Sequence, residues 1–229
     1  MNSQRIRLWD LPTRLFHWLL VLAVIAAVVS GQVGGSLIDV HGKIGLAIVG
    51  LIAFRIVWGF AGSTYARFSQ FFPTPARIKC YLKGEWRGLG HNPLGGLSVF
   101  TLLLLLALQV GSGLFANDDI AFAGPLSELI DKSLSDRLSG IHELLSNVLI
   151  TFVVLHIGAV GFHGHVKKDD LIKPMLTGWK EGVSGEPARG GGIIALLVAL
   201  MIAALAIYGA SGSWLPESPP PAAVETPSW

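Results

Sequence analysis

Two histidines, His142 and His156, stand fourteen residues apart inside an apolar run that extends to Val160. At roughly 100° and 1.5 Å per residue, fourteen helical steps end within about 40° of whole turns and rise about 21 Å. Both imidazoles therefore share one helix face, near opposite ends of a segment long enough to cross a bilayer. A neutral imidazole is a strong axial donor to iron, and its second nitrogen can fix the ring's orientation. One helix built this way can serve two stacked haems. The chain has no Cys-x-x-Cys-His for covalent haem attachment, so any haem is held without thioether bonds. Cys80 is the lone cysteine, and no structural disulfide is expected.

The elements that must position these residues are membrane spans. Hydrophobic residues make up 52% of the 229, charged residues only 14%, and the mean hydropathy is +0.59. A soluble domain carries about a quarter charged residues, so the deficit points to lipid-facing surface. Five runs are long enough to cross: 15–33, 44–61, 97–116, 144–161 and 193–210. The fold expected is an all-α membrane protein, a four-helix transmembrane bundle over residues 1–180. A loop and an additional C-terminal transmembrane helix follow over 181–211, then a Pro-rich tail over 212–229. The first run has a basic start like a secretory leader, but it is long for one and opens on Phe16, His17 and Trp18, so it is expected to be retained.

Charge sets the orientation. Thirteen Lys and Arg lie before the first run, between the second and third, and between the fourth and fifth; only Lys43, Lys132 and Arg137 lie in the other connections. By the positive-inside rule the N-terminus is cytoplasmic and the C-terminus is outside. His17 and His156 then fall at the inner level, and His41 and His142 at the outer level. Each pair is placed to clamp one iron from both sides, leaving no open coordination position. Such a centre passes electrons and does not readily bind oxygen.

Arg55 follows His41 by fourteen residues and shares its face at the inner level. A guanidinium there needs a partner, and a haem propionate suits it. Arg14, one turn before His17, is a second candidate, or a topology anchor. Gly31, Gly42, Gly45, Gly50, Gly111, Gly113, Gly140 and Gly158 recur near the histidines, where small residues allow close helix approach and room for a flat macrocycle.

Several linked motifs are familiar as a set: Arg7-Leu-Trp-Asp-Leu-Pro-Thr-Arg14-Leu-Phe-His17-Trp18, His41-Gly-Lys-Ile-Gly45, the stretch from Phe54 and Arg55 through Trp58 to Phe68, and Gly90-His-Asn-Pro-Leu-Gly-Gly96. From about residue 4 to 180 the chain resembles the prokaryotic cytochrome b561 family, which includes the b-type cytochrome subunits of membrane-bound nickel-iron hydrogenases. The resemblance implies a four-helix bundle with two haem b groups ligated by His17, His41, His142 and His156, exchanging electrons with membrane quinone. It places basic residues at Arg14 and Arg55. The fifth run and the acidic, Pro-rich tail depart from the simplest members, and the tail is expected to be extended.

Other residues carry weaker expectations. His91 precedes the third run in a turn-rich segment and reads as a turn residue, with a proton-donating role to quinone as the alternative. His163 and His165 form a His-x-His without a nearby third ligand, which favours a solvated basic interface over a metal site. The segment 117–141 is charged and is expected to cover the outer pair, a plausible docking surface for an electron-transfer protein such as a cytochrome c or a hydrogenase subunit. No Walker loop, dinucleotide fingerprint or Ser-His-Asp arrangement is present, and a net charge of +2 does not imply nucleic acid.

The main functional reading is a di-haem b-type electron-transfer subunit linking an outer donor to the quinone pool. An alternative is a self-contained superoxide:quinone oxidoreductase, with Lys43, Lys132 and Arg137 attracting the anion. A third has no haem and uses the histidines as a proton or metal-ion path.

Overall fold

The computed structural model describes residues 5–119, 122–182 and 184–216. A short strand β1 (Arg5–Arg7) leads into α1 (Leu11–Val33), then α2 (Ile38–Ala61), α3 (Phe68–Phe71), α4 (Pro75–Leu82), α5 (Pro93–Gly113), α6 (Lys132–His165), α7 (Ile172–Thr177), β2 (Trp179–Glu181) and α8 (Ile193–Ala210). Five of these helices are long and apolar enough to cross a membrane: α1, α2, α5, α6 and α8. The four-helix bundle is α1, α2, α5 and α6, and α8 is the additional helix.

Local chemistry sets the helix ends. Asp10 caps α1 by accepting from Thr13 N at 2.6 Å, with Pro12 in the first turn. Asn92 caps α5 through Gly95 N at 2.8 Å and Asp131 caps α6 through Leu134 N at 3.0 Å. Gly34, at φ +63°, ends α1 in a conformation that strains other residues.

Boundaries differ from the hydropathy reading where polar residues continue a helix. α6 has 34 residues, about 51 Å of helix against roughly 30 Å of hydrocarbon, so it projects beyond the core. Its first twelve residues include Lys132, Asp136 and Arg137, which hydropathy leaves outside the span although a capped helix already runs there. His163 and His165 lie in its last turn and not beyond it. α2 likewise begins before His41.

Packing runs in sequence around the bundle: α1 on α2, α2 on α5, α5 on α6, while α6 makes little direct contact with α1 or α2. Leu149 of α6 joins Ile48, Ile52 and Leu106 in one buried cluster. A second cluster holds Phe16, Phe54, Trp58 and Ala66 against Ala199 and Ala203 of α8. The fifth helix therefore packs on α2 of its own chain. Ala195, Ala199 and Ala203 recur every fourth residue, which lets the helices approach closely, and a Cβ on Gly50 of α2 would stand 2.5 Å from Ile207 Cδ1.

One end of the bundle, which we call the basic end, is closed by short elements. β1 pairs antiparallel with β2, Arg7 opposite Trp179. The loop before α8 runs beside the end of α2, with Thr64 N donating to Arg189 O at 2.8 Å and Tyr65 Oη donating to Glu186 O at 2.6 Å. Asp10 also accepts from Trp58 Nε1 at 3.0 Å, and this buried bond ties the start of α1 to the end of α2. The Pro-rich tail from residue 217 onward lies outside the described residues.

Candidate functional site

At the end opposite the basic one, His41 of α2 and His142 of α6 face each other with ring centroids 6.0 Å apart and planes at 86°. His41 Nδ1 lies 2.9 Å from Ala27 O of α1, and His142 Nδ1 lies 2.9 Å from Gln109 O of α5. A carbonyl only accepts, so in each ring the proton sits on Nδ1 and Nε2 carries the lone pair that could ligate a metal, in His142 by replacing the Gln109 amide that meets it at 3.1 Å. Two metal–nitrogen bonds of roughly 2 Å, together with the radii of two imidazole rings, bring centroids to about 6 Å, the separation present here. The pair fits a haem iron ligated from both sides.

Close backbone supports both rings. A Cβ on Gly113 would lie 2.8 Å from His142 Cε1, and one on Gly31 would lie 3.1 Å from His41 Cε1 and Nδ1. Both glycines act as floors for the imidazoles. Gly45, Gly111, Gly140 and Gly158 have open space where a Cβ would stand, whereas Gly42 packs on Phe122 and Gly50 on Ile207. The small residues picked out by sequence thus divide into ring floors, open positions and plain packing.

Nearer the basic end, His156 Nδ1 lies 3.1 Å from Ser98 Oγ. His17 of α1 is close enough to His156 for their charges to interact, its ring meets Trp18 edge-on at 5.1 Å, and its Nδ1 is buried without a partner. A polar atom left unpaired among buried groups is costly. All four histidines are half-buried.

α5 contributes none of the four histidines yet touches both on α6. Ser98 meets His156, while Gln109 and Ser112 meet His142; the Gln109 amide also donates to His142 Nε2 at 3.1 Å, and Gln109 Oε1 is buried without a partner. Sequence reading passed over these residues because α5 carries no titratable side chain in its apolar run. A signal was present: Ser98 and Ser112 are fourteen residues apart, the same interval as His142 and His156 on the antiparallel neighbour.

Arg55 is buried at 3% exposure. Its Nη1 donates to Ala66 O at 3.0 Å, and its guanidinium lies over Phe68 at 4.7 Å and within 6.0 Å of Phe16 and Phe71. An aromatic cage and one carbonyl thus hold the charge beside the His17 and His156 level. Arg14 donates to Leu176 O, the carbonyl end of α7, and its Nε is buried without a partner.

His91 joins this neighbourhood through its rings, 4.5 Å from Phe71 and 4.7 Å from Trp9, with Nδ1 buried and unpaired. Burial foremost, then the positive charge of Arg55 and the nearby His156 and His17, lowers its pKa to about 3. The unfolded chain takes up this proton near pH 6.5 and the folded chain does not, so the contribution is complete above that pH and is lost as pH falls toward 3. Between pH 8 and pH 5 the loss is roughly 1–2 kcal/mol, visible as a drop in melting temperature that His91→Asn flattens. An equal slope in the variant would assign the pH dependence elsewhere.

Residues 114–119 and 122–131 close the opposite end. Phe122 lies over Gly42 beside His41, and Lys132 is bound to Asp119 at 2.5 Å and Asp136 at 3.0 Å, which offsets its charge locally. A cavity of about 440 Å³ opens there between Asn117, Phe122, Glu128 and Lys132. Among the described residues no group of three or more His, Cys, Asp or Glu side chains is arranged to hold a metal ion.

The family described as prokaryotic cytochrome b561 matches residues 8–178. Relatives include the probable Ni/Fe-hydrogenase B-type cytochrome subunit of Azotobacter chroococcum mcd 1, 25% identical over 75% of this chain and 87% of its own length. The subunit of that name from Rhodobacter capsulatus is 27% identical over 74% of this chain and 79% of its own, and the hydrogenase 1 subunit of Escherichia coli strain K12 is 21% identical over 78% and 92%. No solved structure matches the chain.

Proposed function

This chain belongs to the prokaryotic cytochrome b561 family, a multi-pass membrane b-type cytochrome of electron transfer, and from that premise we propose the finer reading. It holds two haem b groups, one between His41 and His142 and one between His17 and His156, and passes electrons between the quinone pool and a redox protein at the opposite face. The single observation that carries this is the facing of His41 and His142, each with Nδ1 pinned to a carbonyl of a neighbouring helix.

Haem b with two imidazole ligands supplies one-electron chemistry with no open coordination position. The remaining work falls to the chain. Ala27 and Gln109 carbonyls hold the rings in the ligating tautomer, Gly31 and Gly113 let them seat, and the Gln109 amide must turn aside from Nε2 for that atom to bind iron. Arg55 holds a fixed positive charge beside the second pair, where Arg14 is also placed to meet a propionate.

Thirteen basic residues against three support a cytoplasmic N-terminus and basic end and an outward opposite end, and the bacterial sources of the relatives support residence in a bacterial inner membrane. Kinship to hydrogenase cytochrome subunits supports a hydrogenase-type partner at the outer face, with a cytochrome c-type protein as the other donor of suitable chemistry. The test is haem b per polypeptide on the detergent-purified chain, by pyridine haemochrome assay with a reduced-minus-oxidised spectrum. Two haems per chain with six-coordinate, low-spin spectra are expected; none in folded protein from haem-replete cells would remove the reading.

Replacing Arg55 with Gln is expected to lower the midpoint potential of the centre nearer the basic end. Loss of a nearby positive charge favours the oxidised state, by on the order of 50 mV, the one-electron equivalent of about 1 kcal/mol. A redox titration that resolves both centres checks this, and an unchanged potential would detach Arg55 from the cofactor.

A further inference from the structure

At the basic end, the connection between α2 and α5 forms a ledge against the bundle. Phe72 packs edge-on against Phe100 of α5 at 5.4 Å, and Tyr81 Oη lies 3.2 Å from His163 Nε2 in the last turn of α6. α4 is thereby fixed beside the end of α6, and the chain folds back after it, with Asp169 N donating to His163 O at 3.0 Å. Lys79 and Lys83 on one side and Lys167 and Lys168 on the other flank this junction, all exposed.

None of these four lysines forms a salt bridge among the described residues, nor do Arg77 and Arg87 in the same connection. Asp169 is occupied by Lys180 at 2.8 Å, and Asp170 Oδ1 accepts from Ile172 N and Lys173 N. The positive charge is mixed with apolar surface: Phe72 is 54% exposed, Leu82 70% and Val166 62%. Cations and bare apolar side chains at the edge of a membrane span match one chemistry, an anionic headgroup with its acyl chains.

We propose that this ledge of α4 and the end of α6 binds anionic phospholipid, with Lys79, Lys83, Lys167 and Lys168 on the headgroup phosphate and Leu82 and Val166 against the chains. The reading needs only that the protein lies in a membrane and does not depend on haem.

The experiment is native mass spectrometry of the full haem-loaded chain in neutral detergent, incubated with phosphatidylglycerol or phosphatidylcholine. Wild type is expected to retain phosphatidylglycerol about tenfold over phosphatidylcholine, and the Lys79→Gln, Lys83→Gln, Lys167→Gln, Lys168→Gln variant to lose that preference, the first charge removed lowering it about fivefold and the others removing the remainder. Neutralising Lys43, Lys132 and Arg137 at the opposite end is expected to leave it intact. If the fourfold variant does not fold, 1 M salt on wild type serves instead, since it shortens screening to about 3 Å and is expected to abolish the preference. Equal retention of the two lipids by wild type, equal loss in the opposite-end variant, persistence of the preference in 1 M salt, or complete displacement by millimolar inorganic phosphate would each overturn the proposal.

Discussion

His142→Ala is expected to leave one haem b per chain where, on the reading proposed above, the parent holds two, and the haem expected to stay is the one between His17 and His156. Alanine supplies no donor, so an iron at His41 loses one of two axial bonds, and the ring that α5 positions through Gln109 and Ser112 is gone. His156→Ala is expected to produce the reciprocal loss. The haemochrome assay counts the haems, and redox titration identifies the survivor by its potential. Undiminished haem content in both variants would sink the pairing, and loss of both haems from either one would show that the two sites assemble together.

Gly113→Val reaches the same site without removing a ligand. Even the first added carbon would stand 2.8 Å from His142 Cε1 and 3.0 Å from Nδ1, so the ring must move away from its carbonyl partner or the helices must part. Overpacking of this kind costs roughly 1–3 kcal/mol in a well-packed interior. The haem at His41 and His142 is expected to fall to half occupancy or less while the other is kept. Gly209→Val, at an open position of α8, supplies the control. Equal haem content in the two variants would mean that the His142 ring tolerates displacement and that Gly113 is mere packing.

The bundle was legible because its signals are periodic. Apolar runs located all five spans, and α8 begins and ends where its hydropathy does, because Gly192 and Ser211 bound a segment free of charge. α6 was under-read: Lys132, Asp136, Arg137 and Glu143 lower hydropathy but do not break a helix that Asp131 has capped. The histidine pairs followed from helical period and alternating direction. Period could not foresee what surrounds Arg55, since Ala66, Phe68 and Phe71 reach it only when the chain after α2 folds back. Nor did it foresee the bond between Asp10 and Trp58, two residues 48 positions apart that meet only in the folded chain.

One spacing was read too narrowly. His17 and Gly31, His41 and Arg55, Ser98 and Ser112, and His142 and His156 are all fourteen apart. Each bundle helix thus presents one polar or small residue at both levels, and four such helices make two layers. The interval belongs to the architecture and not to the ligands alone.

The length of α6 has an electrical consequence. His142 and His156 stand about 21 Å apart along it, roughly two thirds of the hydrocarbon thickness. On the two-haem reading, an electron handed from one level to the other crosses most of the insulating layer, with the fixed charge of Arg55 beside the level nearer the basic end. Against a transmembrane potential of 100 mV that displacement is worth roughly 1.5 kcal/mol, an expense when electrons move toward a negative interior and a gain in the other direction. On that reading the protein exchanges work with the membrane potential at every turnover, and its rate in sealed vesicles is expected to depend on the imposed voltage.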